Sequence, residues 1–132
     1  MAEILKTWWL PNGVVVTVAD ETIQLNSKTF ALKLAVKGVI EVKTEYVLDF
    51  EESPHHLEIL RMLFPAAEYR REIIKPGVGA GEVENAKSAL LDAFEKNSLL
   101  YFAREDFPER YVRKLYKELE KELSAKEYVG NQ

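Results

Sequence analysis

The sequence predicts an α+β fold, in which an antiparallel meander of four or five strands is followed by three or more helices packed on one face. Three observations support this prediction. Apolar residues recur with period two from residue 4 to residue 50, and at helical spacing after Ser53. A length of 132 residues with 47% apolar content suits one domain with a real core. We therefore expect a single domain over residues 1–132, with the sheet at 4–50 and the helical half at 53–128.

Turn residues divide the first half into strands. Residues 4–10 are predicted to form the first strand, and Pro11-Asn12-Gly13 the turn after it. Proline presets φ there, while asparagine and glycine tolerate positive φ. Residues 14–19 are predicted as the returning second strand, and residues 22–25 as a short third one.

The next stretch predicts two further strands joined by a tight turn. Phe30, Leu32, Leu34 and Val36 share one face, and Lys37-Gly38 is the expected hairpin turn. Residues 40–50 then alternate again, with apolar side chains on one side and charged ones on the other. Such alternation is typical of an antiparallel sheet that packs one face and leaves the other wet.

Helix signals begin at Ser53-Pro54, where an N-cap residue precedes a proline at the first helical position. Residues 66–75 fit a helix or a strand. A second helix is expected at about residues 82–96. Asp106, with Glu109 at capping-box spacing, predicts the start of the last helix. One stripe of that helix is apolar and provides a predicted homodimer seam: Val112, Leu115, Leu119 and Leu123.

The glycine-rich segment 76–81 precedes the second helix and could in principle hold a phosphate. A phosphate loop needs Gly-Lys-Ser/Thr, but Glu82 and Glu84 follow these glycines and would repel an anion. We expect a flexible helix-entry loop. A small phosphate ligand bound by Gly77–Gly81 stays as an alternative function.

Catalytic and metal-binding patterns are absent from the sequence. It has no cysteine, which excludes disulfides and thiolate sites, and its two histidines, His55 and His56, point about 100° apart on a helix. No nucleophile motif is present. We therefore predict no catalytic residue, no metal site and no cofactor, although 22 acidic residues leave carboxylate-only catalysis open.

Composition limits which ligands the protein can bind and in which compartment we expect it. Charged residues make up 30% of the chain and the formal net charge is −4, so nucleic-acid binding would need a local basic patch. Abundant Glu and Lys without cysteine are typical of thermophile proteins. The sequence shows no leader and no apolar run long enough to cross a membrane, so a cytoplasmic location is expected.

Aromatic and basic residues interleave at several places, which is the chemistry that single-stranded nucleic acid requires: rings for stacking and cations for phosphates. The same side chains would also suit a core or a charge-balancing role. We predict non-enzymatic binding of single-stranded nucleic acid, DNA or RNA, with little sequence preference. The candidate contacts are Trp8, Trp9, Tyr69, Arg70, Arg71, Lys75, Arg104, Arg110, Arg113 and Lys114.

This plan resembles the ThermoDBP family of archaeal single-stranded-DNA-binding proteins. The resemblance covers a strand meander at residues 14–50, the helices after it, the lack of cysteine and the apolar stripe from Val112 to Leu123. It implies a cleft with basic and aromatic walls, and pairing of two chains through a C-terminal coiled coil. The stripe is shorter than the three or four heptads that a zipper needs. No motif transfers residue by residue.

The main rival is a protein-interaction or assembly subunit without a nucleic-acid role. The acidic net charge and the same apolar stripe support it, because the stripe could face a partner instead of a core. A basic surface would favour nucleic acid, and an exposed apolar surface would favour a protein partner.

Overall fold

Five strands and four α-helices form the part of the chain that the computed structural model describes, residues 2–130, with side chains described through Lys126. The strands are β1 (Glu3–Trp9), β2 (Val15–Asp20), β3 (Ile23–Gln24), β4 (Thr29–Glu41) and β5 (Ala66–Gly79). The helices are α1 (His56–Leu63), α2 (Val83–Ala93), α3 (Leu99–Phe102) and α4 (Phe107–Gly130). The predicted α+β class with an antiparallel sheet is confirmed.

The chain divides into two compact units. The sheet unit contains the residues up to Val39 together with Glu68–Arg104. The helical unit contains Ile40–Ala67 and the chain from Glu105 onward. The expected single-domain organisation stays a prediction.

The first hairpin follows its turn chemistry. β1 pairs antiparallel with β2, and β2 with β4. Gly13 takes a φ of 89°, and the Leu10 amide donates to the Val14 carbonyl at 2.9 Å. Only glycine adopts that φ without strain, so Pro11-Asn12-Gly13 forms the predicted turn.

β3 continues β2 along the same edge of β4. Val15 pairs with Val39 and Ile23 pairs with Ala31. Moving eight residues forward from Val15 to Ile23 moves eight residues back from Val39 to Ala31, so both pairs belong to one antiparallel register. Between them the Glu21 amide donates to the Lys33 carbonyl at 2.8 Å, in the same register. The short third strand is therefore an interrupted extension of the second.

β5 pairs with the other edge of β4. Lys33 lies 3.2 Å from Glu72, and Lys37 lies 3.2 Å from Glu68. From Lys33 to Lys37, β4 advances by four residues, while the partners on β5 go back by four residues, from Glu72 to Glu68. The two strands are therefore antiparallel. Across the sheet the order is therefore β1, then β2 continued by β3, then β4, then β5.

One face of the sheet unit is packed. Its buried side chains are Val14, Val16, Val18, Leu32, Leu34, Val36, Val78, Phe94 and Phe102. Strict alternation along β2 and β4 points every second side chain into this core, and the aromatic rings of the helical connection cover it. Trp8 joins the core edge, with its ring 5.5 Å from that of Phe94.

The helical unit has its own core, built from α1, α4 and the chain between residues 40 and 67. Its buried side chains are Ile40, Val42, Val47, Ile59, Leu63, Ala67, Phe107, Val112 and Tyr116. Burying such side chains contributes about 1.5–3 kcal/mol each, before the loss of conformational entropy.

The predicted hairpin at Lys37-Gly38 and the strand expected at residues 40–50 are wrong. β4 runs unbroken to Glu41, because Gly38 lies in an extended strand opposite Val16 and needs no positive φ. A Cβ there would lie 3.5 Å from the Tyr69 Cβ, which is an ordinary contact distance, so neither a turn nor steric crowding requires the glycine. Thr44–Phe50 forms 3-10 turns, and only Val47 among them is buried.

The ambiguous residues 66–75 are a strand, and the glycine segment is not a loop. β5 extends through Gly77 and Gly79, after which Ala80–Glu82 forms a short 3-10 turn into α2. Gly77 takes a φ of 70°, and the Ala80 amide donates to the Lys28 carbonyl at 3.0 Å. The backbone is thus held by strand pairing, which the sequence pattern did not show.

The helices begin and end differently from the prediction, except for the last. α1 begins at His56, because the Ser53 hydroxyl accepts from the His55 amide and closes a turn instead of a helix cap. α2 ends at Ala93, earlier than the expected residue 96, and Phe94–Ser98 continues as a π-helical turn into α3. α4 begins at Phe107, directly after Asp106, as predicted.

Candidate nucleic-acid interface

α4 carries a cationic face opposite its buried face. Successive residues of an α-helix are rotated by about 100° around its axis. On α4, the five cations that line one surface cavity all fall within a single arc of about 100°. They are Arg110, Arg113, Lys114, Lys117 and Lys121, and Glu118 lies at their edge. The cavity has a volume of about 480 Å³. Val112 and Tyr116, both fully buried, lie on the opposite side of the helix. We call these five residues the cationic face.

Arg113 is held in place by its neighbours. It donates two hydrogen bonds to the Asp49 carboxylate, at 2.6 and 2.8 Å, and one to the Tyr46 carbonyl at 3.0 Å. Those hydrogen bonds lower the pKa of Asp49 and raise the pKa of Arg113. A two-pronged pair of this kind fixes the guanidinium. Arg113 therefore shapes the face more than it offers a charge to a ligand.

Phe50 lies beneath the cations. The Arg113 guanidinium is 4.5 Å from the ring centroid and the Lys117 ammonium is 5.7 Å from it. The same ring stacks on that of Tyr116, with the two centroids 4.8 Å apart. Cations over an aromatic face gain about 0.5–1 kcal/mol at exposed sites. The Phe50 ring thus already has one aromatic and two cationic neighbours.

Three lysines of the cationic face have no ion-pair partner among the described residues: Lys114, Lys117 and Lys121. Arg110 has only a long contact, 3.4 Å, with the exposed Asp106. An exposed ion pair of this length contributes little. Four cations on this face are therefore available to an anionic ligand.

Tyr116 anchors the helix that carries these cations. Its hydroxyl lies 2.7 Å from Nδ1 of His56 and donates to the Phe50 carbonyl at 3.3 Å. Burial raises the pKa of Tyr116. The buried phenol thus connects α1, the 3-10 turns and α4, and it fixes which side of α4 faces solvent.

The other predicted site residues belong to the sheet unit. Trp8 and Trp9 point to opposite faces: Trp8 is half-buried with Nε1 donating to Glu95 at 3.3 Å, and Trp9 is 76% exposed. Tyr69 packs edge-on against Phe102 at 5.0 Å and belongs to the core side. Lys6 also pairs with Glu95.

The predicted basic residues of the sheet unit differ in their contacts and are not gathered at one place. Arg70 donates to Glu68 at 2.9 and 3.1 Å, and with Arg71 it lines a cavity of about 280 Å³. Lys75 is exposed on β5. Arg104 follows α3, and its carbonyl accepts from the Asn12 side chain at 2.8 Å.

The structure thus brings together Arg110, Arg113 and Lys114 of the predicted set, and it adds Lys117, Lys121 and Phe50. Lys117 and Lys121 continue the spacing of Arg110 and Lys114 by three and four residues, so the helical period could have identified them. Phe50 gave no such signal, because its surroundings were interpreted as a strand.

Residues 2–130 contain neither a metal-binding cluster nor a helix able to cross a membrane. That part of the chain holds no group of three histidine or carboxylate side chains placed to bind a metal ion. None of its helices combines the length and the apolar character that crossing a bilayer requires.

Comparison of the chain with protein-family models, with curated proteins and with solved structures finds no match. The function is therefore argued from the side chains themselves.

Proposed function

We propose that this protein binds single-stranded nucleic acid through the cationic face of α4, without catalysing a reaction. The observation that carries the proposal is the row of lysines that have no ion-pair partner within the described part of the chain, Lys114, Lys117 and Lys121, continued by Arg110. From Arg110 to Lys121 the helix rises about 16 Å, at 1.5 Å per residue. A regular row of cations of that length suits a ligand with repeated negative charges.

The ligand would be held mainly through its phosphates. Phosphate contacts fix position but carry no sequence information, and the Phe50 ring near the cations already contacts Tyr116 and Arg113. Binding is therefore expected to show little sequence preference. The net charge of −4 gives no long-range attraction, so the affinity depends on this local face. Contacts to phosphates alone treat DNA and RNA alike.

The test is fluorescence anisotropy of a labelled mixed-sequence oligonucleotide at low salt. The parent protein is compared with the triple variant Lys114→Ala, Lys117→Ala, Lys121→Ala. Alanine has the highest helix propensity, so α4 is expected to persist in the variant. Saturable binding by the parent and its loss in the triple variant are the expected results.

A matched control removes the same charge elsewhere. Lys28, Lys43 and Lys96 are exposed and outside α4, and their replacement by Ala also lowers the net charge by three. The control is expected to bind like the parent. If both variants bind the oligonucleotide equally weakly, net charge alone explains the effect. If the parent binds polyglutamate as tightly as the oligonucleotide, the cationic face binds polyanions in general. No binding by the parent at low salt would refute the proposal.

A further inference from the structure

The sheet unit has two different edges. At one edge, the register of β1 against β2 shifts between Ile4 and Lys6, and Lys6 is paired with Glu95. β3, on the same side of β4, is only two residues long. A bulge, a charged residue and a short strand are features that keep an edge from pairing with another chain. This edge is therefore protected against a further strand.

The other edge is β5, which is long and regular. Within the described residues its strand neighbour is β4 alone. The ion pairs with β4 advance four residues for four, so no residue is inserted between Glu68 and Glu72. Proline and a glycine of positive φ come only near its end, at Pro76 and Gly77. Residues 70–75 thus form an uninterrupted outer edge.

This outer edge, residues 70–75, is open to solvent. Five of its six side chains are exposed, and Ile74 among them exposes 57% of its surface. In an antiparallel pair, alternate residues direct both backbone groups toward the partner strand, so about three of these six residues direct theirs outward. A row of outward N–H and C=O groups is satisfied all at once by another extended strand.

The charges on one side of the outer edge are already paired. Side chains alternate along a strand, so Arg70 and Glu72 share one side. Arg70 donates to Glu68 at 2.9 and 3.1 Å, and Glu72 lies 3.2 Å from Lys33. A further strand therefore meets neutralised charges on this side.

The other side of the outer edge carries two cations, Arg71 and Lys75, without an ion-pair partner in the described part of the chain. Ile73 lies between them at the same period. Directly opposite residues of neighbouring strands have their side chains on the same side, and opposite charges there attract. A complementary strand therefore places acidic residues opposite Arg71 and Lys75 and an apolar residue opposite Ile73.

From these observations we infer that β5 accepts an extended segment of a partner protein as a further strand of the sheet, bound along residues 70–75. Backbone hydrogen bonds supply affinity in this mode of recognition, and alternate side chains supply specificity. The segment has an acidic residue, an apolar residue and an acidic residue at alternate positions, with a β-branched residue favoured at the centre. This inference does not depend on nucleic-acid binding, because it uses none of the residues of the cationic face.

The probe is a fluorescein-labelled peptide, Thr-Thr-Glu-Thr-Val-Thr-Glu-Thr-Thr, whose pattern is the same in both strand directions. Its anisotropy is titrated with the parent and with the triple variant Lys114→Ala, Lys117→Ala, Lys121→Ala, because the cationic face also attracts acidic peptides. Saturable binding below about 200 μM, equal for both proteins, is the expected result. Loss of binding in the triple variant would place the peptide on the cationic face, and binding to neither protein would show that the edge accepts no such strand. Both results overturn the inference.

N-methylated peptides distinguish a paired strand from a contact between side chains. One peptide carries the methyl group on the valine nitrogen, and the other carries it on the nitrogen of a neighbouring threonine. Successive N–H groups of a strand point in opposite directions, so only one of the two methyl groups meets β5. One peptide is expected to keep its affinity and the other to lose about tenfold or more. Equal affinities would show that the backbone does not pair.

A charge exchange identifies the residues that face the peptide. The double variant Arg71→Glu, Lys75→Glu is expected to bind the probe at least about 20-fold more weakly, because two attractive cross-strand pairs become repulsive. A peptide with lysine in place of both glutamates is expected to bind this variant better than it binds the parent, which also shows that the variant is folded. The control, Lys43→Glu with Lys96→Glu, changes the net charge equally at exposed positions outside β5. Equal weakening in the control, or no gain for the lysine peptide, would contradict the assignment to β5.

Discussion

Replacing a single lysine of the cationic face tests how the ligand is held. For single strands the logarithm of the binding constant falls with the logarithm of salt concentration by about 0.7 per phosphate contact. The structure offers four available cations, Arg110, Lys114, Lys117 and Lys121. The expected slope is therefore about −2.8, and it becomes about −2.1 in Lys117→Ala.

These slopes predict a measurable difference between the two proteins. Raising salt from about 50 to about 200 mM should weaken the parent about 50-fold and Lys117→Ala about 20-fold. Anisotropy titrations at five salt concentrations resolve the two slopes. Lys96→Ala is the single-residue control, because Lys96 is exposed and outside α4. It should keep the slope of the parent.

Asp49→Asn tests the same reasoning in the opposite direction. Asp49 holds the Arg113 guanidinium with two hydrogen bonds, and asparagine keeps its shape without its charge. Arg113 is then released to a phosphate, so the slope should steepen to about −3.5. Affinity at low salt should rise.

Two results would refute this account. If Lys117→Ala weakens binding at every salt concentration by the same factor, Lys117 does not contact a phosphate. If the slope of Asp49→Asn equals that of the parent while the variant stays folded, Arg113 is not part of a phosphate-binding row.

Three further predictions concern stability, each measured by urea denaturation. Burial raises the pKa of Asp20, but hydrogen bonds from Lys87 and from the chain outweigh burial and leave the pKa below 3.8. The lowered pKa stabilises the fold above the unfolded value and this contribution is lost as pH falls below about 3.8. Asp20→Asn should therefore cost about 1 kcal/mol at pH 7 and progressively less as pH falls below the ordinary pKa of an aspartate, and a cost that did not change with pH would contradict the assignment. Gly77→Ala should cost about 1 kcal/mol because φ is 70°, while Gly79→Ala, at φ −68° with open space around it, should be neutral; equal effects would contradict the backbone assignment. Tyr116→Phe should cost about 1–2 kcal/mol, since the variant leaves a histidine nitrogen and a carbonyl without their partner, and a cost below about 0.3 kcal/mol would place those hydrogen bonds in contact with water.

The fold class followed from the sequence because periodicity reports burial directly. Alternation in β2 and β4 identified one packed face, and the stripe of α4 identified its buried side. Two of the errors share a cause, because glycine is a turn signal in a local pattern. Gly38 and Gly79 both lie in strands, and a local pattern does not distinguish a glycine inside a strand from one at a turn.

The candidate site was predictable only in part. Arg110, Arg113 and Lys114 were identified from composition, and the helical period extends that row to Lys121. The sequence could not show that Arg113 is occupied by Asp49, because the two residues are 64 positions apart. Pairing across such separations decides which charges are available, and it appears only in the fold.

Salt dependence separates binding through phosphates from binding through apolar burial. Within the described residues, the lysines of the cationic face have no ion-pair partner, so binding there draws on released counterions and weakens steeply with salt. Burial of apolar surface is not reduced by screening, and sulfate strengthens it. An affinity for oligonucleotide that stayed constant as salt rises would therefore show that the cationic face is not the surface that holds the ligand.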